Sequence, residues 1–203
     1  LKEGSGKKRI IYVIPYNSII EQTAGTFDEI FGNFAQILRH QSTFFYNEDN
    51  ENELVYKYAT ENWDADLIVT TSVQFFESLF GNKRSKLRKL HNMANSIIVF
   101  DEVHLMPIDF LQPCLRGISF LTKYFNSEAI FLTATMPDFK NLITKYALEN
   151  PVITDLITDV SDFGAFDKCK FRYIGEQSDE ALIEKATTFP TCLIVVNSRK
   201  GAR

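Results

Sequence analysis

Ser96-Ile97-Ile98-Val99-Phe100-Asp101-Glu102-Val103-His104 is the stretch from which the fold of this chain can be read. Four apolar residues follow one another, three of them β-branched, with no polar residue alternating between them. Such a run suits a strand buried on both faces, as happens where helices cover a parallel sheet from above and below. The run then stops on two carboxylates. In open α/β sheets the loops at the carboxyl ends of the strands form the ligand crevice, so Asp101 and Glu102 stand where chemistry is expected.

Similar runs recur along the chain. Residues 9–14, 66–70, 129–132 and 191–196 predict further strands, and 34–38 and 170–174 are weaker candidates. Between them, amphipathic stretches predict helices over 18–31, 51–63, 73–80, 109–125 and 138–148. Ser18 is placed to cap the first, Gly32-Asn33 to end it, and Pro137 to start the last. Short apolar runs alternating with longer helical stretches predict an α/β fold with a parallel sheet and flanking helices. Residues 150–168 have weak periodicity and read as a linker. The predicted organisation is therefore a first domain over 1–149, the linker over 150–168, and the beginning of a second domain over 169–203.

With 203 residues the chain is long enough for one well-buried domain and part of another. Hydrophobic residues at 45% and charged residues at 24% exclude extensive disorder. The net charge of -4 gives no general attraction for nucleic acid, which would need a local basic surface. Lys83, Arg84, Lys86, Arg88 and Lys89 form the densest basic cluster, either a phosphate-attracting patch or a solvated helix face. Cys114, Cys169 and Cys192 are scattered without metal-ligand spacing and are expected to be small buried hydrophobes in a reducing compartment. No apolar run is long enough to span a bilayer, so no membrane partner and a cytoplasmic location are expected.

Chemically, an Asp at the end of such a strand can hold magnesium through water beside nucleotide phosphates, and an adjacent Glu can activate an attacking water. An isolated Asp-Glu pair is more often an ordinary strand end. Here the following strand closes on Thr133-Ala134-Thr135-Met136-Pro137, whose hydroxyls can bond to the acidic loop.

Asp-Glu-Val-His followed by Thr-Ala-Thr resembles motifs II and III of the superfamily-two helicases. Asp66-Leu67-Ile68-Val69-Thr70-Thr71-Ser72-Val73-Gln74 is similar to motif Ib, and Cys192-Leu193-Ile194-Val195-Val196-Asn197-Ser198-Arg199-Lys200-Gly201-Ala202 to motif IV, which opens a second RecA-like domain. In place of motif Ia stands Tyr12-Val13-Ile14-Pro15-Tyr16-Asn17-Ser18-Ile19-Ile20-Glu21-Gln22. That wording is similar to the helicases of type I CRISPR interference systems. The resemblance covers nearly the whole chain and implies a RecA-like ATPase domain acting as an ATP- and magnesium-dependent DNA helicase.

On this resemblance Asp101 holds magnesium, Glu102 activates water, and His104 with Thr133 and Thr135 couples the site to domain movement. Tyr16, Asn17, Ser18, Thr70, Thr71 and Ser72 would grip the backbone of single-stranded DNA without reading its sequence. Implied partners are a Cascade-type CRISPR surveillance complex and an HD nuclease domain, fused or separate, with unwinding in the 3′-to-5′ direction. An RNA helicase and a non-catalytic scaffold are the alternatives.

A phosphate-binding loop requires G-x-x-x-x-G-K-[ST]. Gly4-Ser5-Gly6-Lys7-Lys8 lacks both the first Gly and the metal-binding hydroxyl, so it reads as a solvated turn. Both ends of the chain look like cuts inside a longer protein, with the true loop expected upstream. This segment alone should then hydrolyse ATP negligibly. The absent loop strand is expected to leave a gap beside the acidic strand, or an exposed strand edge.

Overall fold

The computed structural model describes residues 6–40, 51–134, 139–158, 170 and 172–196. The chain divides into two compact units, Leu1–Ile153 and Thr154–Arg203.

The first unit is built on five parallel strands: β1 (Arg9–Ile14), β2 (Ile37–His40), β3 (Leu67–Thr71), β4 (Ser96–Phe100) and β5 (Glu128–Phe131). Their order across the sheet is β2-β3-β1-β4-β5, and every pairing is parallel. All five carboxyl ends therefore lie on one edge. The apolar runs at 9–14 and 96–100 form strands over the residues expected, and those at 66–70 and 129–132 shift by one position. The run at 34–38 shifts further. Gly32, at φ 49°, ends the preceding helix, a 3-10 turn follows over Gly32–Phe34, and the backbone is extended only from Ala35.

Helices α1 (Ile20–Phe31), α2 (Glu51–Asn62), α3 (Ser72–Phe80), α4 (Arg84–Leu87), α5 (Leu90–Met93), α6 (Leu111–Tyr124) and α7 (Phe139–Tyr146) connect the strands. Ser18 does not cap α1, because a 3-10 turn over Asn17–Ile19 intervenes and neither start carries a side-chain cap. The Pro137 start expected for α7 lies outside the described residues.

Period-two alternation sends the strand side chains to two apolar layers. Ile11, Val13, Ile68, Ile98 and Phe100 pack with Phe75 of α3 and Leu115, Ile118 and Leu121 of α6. Ile14, Leu67 and Val69 pack on the other face with Ile20 and Ala24 of α1. Burying each such side chain contributes roughly 1.5–3 kcal/mol. Rings run through the first layer in contact, from Trp63 to Phe75, Phe100 and Phe131.

Of the gap or exposed strand edge expected, the gap is not found beside the acidic strand, because β4 is hydrogen-bonded on both flanks, to β1 and β5. Among the described residues β5 is instead an edge. Among the described residues of the second unit, α8 (Asp179–Thr187) is the one regular element, capped by Ser178. The strands expected at 170–174 and 191–196 are not made by their described residues, and Leu193 and Val195 are more than four-fifths exposed. A strand needs a neighbour to receive its backbone hydrogen bonds, and no described residue of that unit supplies one. Finally, Cys192 is exposed, unlike the buried Cys114; Cys169 lies outside the described residues.

Lys7, in the glycine-containing start expected to be a solvated turn, is buried. Its buried ammonium donates to the Asn126 carbonyl at 2.8 Å and lies 3.2 Å from Glu128. It thus binds the amino-terminal edge of the sheet, opposite the carboxylates; Gly4 and Ser5 lie outside the described residues.

Candidate active site

Asp101 is the first residue past β4, and its backbone N–H extends the ladder by one step, donating to the Val13 carbonyl at 2.8 Å. The carboxylate accepts at both oxygens: from Tyr12 Oη at 3.0 Å on Oδ2, and from the Glu102 N–H at 3.0 Å on Oδ1. Burial raises the Tyr12 pKa, and the Asp101 carboxylate adds to the effect by charge and hydrogen bond. The phenol therefore remains a donor at any working pH.

Glu102 adopts left-handed backbone angles, φ 49° and ψ 47°. A non-glycine residue pays roughly 1–2 kcal/mol there. The turn is held in place because Leu105 N–H donates to the Glu102 carbonyl and Val103 N–H to the Leu132 carbonyl. Glu102 Oε2 is itself shielded from solvent without a hydrogen bond, although His104 Nδ1 lies 3.2 Å away. That ring nitrogen is also 2.9 Å from Thr133 Oγ1. Glu102 and Thr133 thus converge on one nitrogen of His104, beside backbone bonds joining the same two strand ends. Thr135 lies outside the described residues.

The second group of expected residues divides. Tyr16, Asn17 and Ser18 are exposed just beyond β1, and Tyr16 offers a ring 55% open to solvent. Ser72 is half-buried and donates to the Ile14 carbonyl at 3.3 Å, beside Pro15 and the acidic pair. Thr70 and Thr71 do not reach the surface, which corrects their assignment as contacts for a strand. Thr70 is fully buried, its hydroxyl donating to the His40 carbonyl at 3.4 Å and lying 3.3 Å from His40 Nδ1. Thr71 is 3% exposed and caps α3 by accepting from Gln74 N–H.

Of the basic cluster, Lys86 pairs with Glu77, Arg88 with Glu61, and Lys89 is buried above the Trp63 ring. Lys83 and Arg84 are the exposed members without such a pairing.

Tyr12 is the site residue that the strand pattern concealed. The available signal was a phenol inside the aliphatic run Ile10-Ile11-Tyr12-Val13-Ile14, since a buried hydroxyl needs a partner.

Residues 1–142 match the family model described as DEAD/DEAH box helicase. Over 151 residues the chain is 30% identical to the CRISPR-associated nuclease/helicase Cas3 of Haloferax volcanii, spanning 66% of this chain and 16% of that protein. Two solved structures share the fold. The crystal structure of T. fusca Cas3-ATP aligns with a TM-score of 0.53 at 15% identity, covering 72% of this chain and 17% of that one. The crystal structure of the DUF1998 helicase MrfA bound to DNA aligns at 0.50 and 14% identity, covering 71% and 20%. With a RecA-like parallel sheet, carboxylates at the edge where its strands end and a match over residues 1–142, the chain belongs to the DEAD/DEAH box helicase family.

Proposed function

We propose that this chain is the motor segment of a longer, cytoplasmic, ATP-dependent DNA helicase of a CRISPR antiviral system. The observation that carries the reading is the contact series at the sheet edge, in which Glu102, His104 and Thr133 meet beside Asp101. Similarity to Cas3 supports the CRISPR assignment. On the same ground, the partners proposed are single-stranded DNA, a Cascade-type surveillance complex and an HD nuclease domain, fused or separate.

The residues present suit a magnesium–ATP complex. Each Asp101 oxygen accepts one hydrogen bond and keeps a lone pair for a metal-bound water. Bound magnesium would neutralise charge on the β- and γ-phosphates. Glu102, whose side chain is 40% exposed, would take the proton of the attacking water. His104 would report the state of Glu102 to Thr133 at the tip of β5. Tyr16, Asn17, Ser18 and Ser72 would hold the DNA backbone where β1 and β3 end; Thr70 and Thr71 would support that rim from beneath.

The test is ATP hydrolysis by the full-length protein carrying Glu102→Gln or Asp101→Asn. Loss of a general base removes a factor of about 10²–10⁴, so Glu102→Gln should lower turnover at least ~100-fold while nucleotide still binds. Turnover within about twofold of the unsubstituted enzyme, against the ~100-fold expected, would exclude the assignment. Stimulation by single-stranded RNA in preference to DNA would replace the proposed substrate.

A further inference from the structure

Tyr12 stands on the face of β1 that packs against α1. Its ring meets Phe27 edge-on, with centroids 5.1 Å apart and planes at 77°. Tyr12 pairs with Val99 across the ladder, and Asp101 lies two residues further along β4, so it projects to the same face. That diagonal is within reach of a long side chain, and the phenol spans it to donate to Oδ2 at 3.0 Å. The Asp101 backbone is meanwhile held by the next residue of β1, Val13. One strand therefore grips Asp101 by both its backbone and its carboxylate. Three residues after Val13, the chain emerges as exposed Tyr16, Asn17 and Ser18.

We infer that the Tyr12 hydroxyl is a positioning group that fixes the metal-side carboxylate and ties it to the strand presenting Tyr16, Asn17 and Ser18 to nucleic acid. This rests on the role proposed above for Asp101. An extended strand has little slack at ~3.3 Å per residue, so a load on the exposed tip is carried to Val13 and Tyr12. From there it reaches the carboxylate orientation through the hydrogen bond. A phenylalanine would keep the contact with Phe27 and release Oδ2.

The test compares Tyr12→Phe, Asp101→Asn, the double variant and Phe27→Leu in the full-length protein. Mn²⁺ retention with a non-hydrolysable ATP analogue is read by electron paramagnetic resonance, and stimulation of hydrolysis by single-stranded DNA is read separately. Hydrogen bonds to charged groups are worth enough to predict about tenfold weaker Mn²⁺ retention in Tyr12→Phe, with DNA stimulation reduced. The double variant should be no weaker than Asp101→Asn alone, because coupled residues are not additive. Phe27→Leu loosens the ring but keeps the hydroxyl, so it should lower the unfolding midpoint while Mn²⁺ retention stays within about twofold, well short of the hydrogen-bond loss. Unchanged Mn²⁺ retention in Tyr12→Phe, additive losses, or an equal loss in Phe27→Leu each overturn the inference. An Asp101→Asn protein that keeps Mn²⁺ overturns the metal assignment itself.

Discussion

Acidification should weaken the sheet through one buried imidazole. His40 closes β2 with 9% of its surface exposed. Its ring lies 3.3 Å from the Thr70 hydroxyl and stands edge-on to Trp63, with centroids 5.7 Å apart. Burial is the main cause that lowers its pKa from 6.5 to about 3, and the cations of Lys89 and Lys86 add to it. In the unfolded chain the same imidazole takes a proton near its ordinary value. Between these two values the unfolded state therefore binds one more proton, and stability falls as pH drops. Each pH unit crossed costs about 1.4 kcal/mol, so passage from pH 6.5 to 4.5 should remove about 2–3 kcal/mol, a sizeable part of a domain's ~5–15 kcal/mol. Trp63 is the only tryptophan and is fully buried, so its fluorescence reports urea unfolding of this unit. His40→Gln removes the titrating group, while carboxylates titrate alike in both proteins. Wild type should lose about 2–3 kcal/mol more than the variant over that interval. Parallel loss in the two proteins would show that His40 is protonated in the folded state and refute the reasoning.

Thr133→Val keeps the shape of the side chain but removes the hydroxyl 2.9 Å from His104. DNA-stimulated ATP hydrolysis by the full-length protein should fall roughly three- to tenfold, the size of one ordinary hydrogen bond. Gly117→Ala places a Cβ 2.7 Å from Phe80 Cζ and 2.8 Å from Leu79 Cδ2. Both contacts are side-chain ends that can swing aside, and Phe80 is 54% exposed, so the ~1 kcal/mol gained in helix propensity should keep the urea midpoint level or raise it. Burial and neighbouring Lys86 hold the Lys89 pKa down at about 8. Because the unfolded chain then carries the extra proton, stability should rise as pH increases from about 8 towards 10.5. Lys89→Met should lose that rise, as urea titrations at the two ends would show.

The parts of the fold legible in the sequence are those where a local pattern meets the neighbours it needs. Ser96–Phe100 and residues 10–14 are largely apolar on both faces and pair on both sides. The parts that were hidden depend on partners remote in sequence. Thr70 reads like an exposed hydroxyl at a strand end, yet it is satisfied by His40, which lies 30 residues away in sequence. Thr71 and Ser72 look equivalent as letters, but only one can occupy the capping position, and the register gives it to Thr71. The run at 191–196 is as aliphatic as β4 and still forms no strand, because the composition of a segment does not provide the neighbour it must pair with. At the site, Asp101, Glu102, His104 and Thr133 were legible as a motif. Tyr12 was not, because its strand role masked its polar end.

The position of β1 explains why these contacts gather where they do. Between β3 and β4, it lends its last carbonyls to both neighbours: Val13 to the Asp101 N–H and Ile14 to the Ser72 hydroxyl. Pro15 then ends the strand, since it has no N–H to continue the ladder. The tip of β1 is thus joined to the acidic loop on one side and to the start of α3 on the other. Both attachments, at 2.8 and 3.3 Å, are hydrogen bonds to main-chain carbonyls, which move only if the strand moves. A rearrangement at residues 16–18 has two routes into the sheet edge, and the one through β4 ends on the carboxylate proposed to face the metal. Nucleic-acid contact and nucleotide chemistry would then share a strand, so that a single hydroxyl on β1 can weaken their coupling without disturbing the apolar layers beneath.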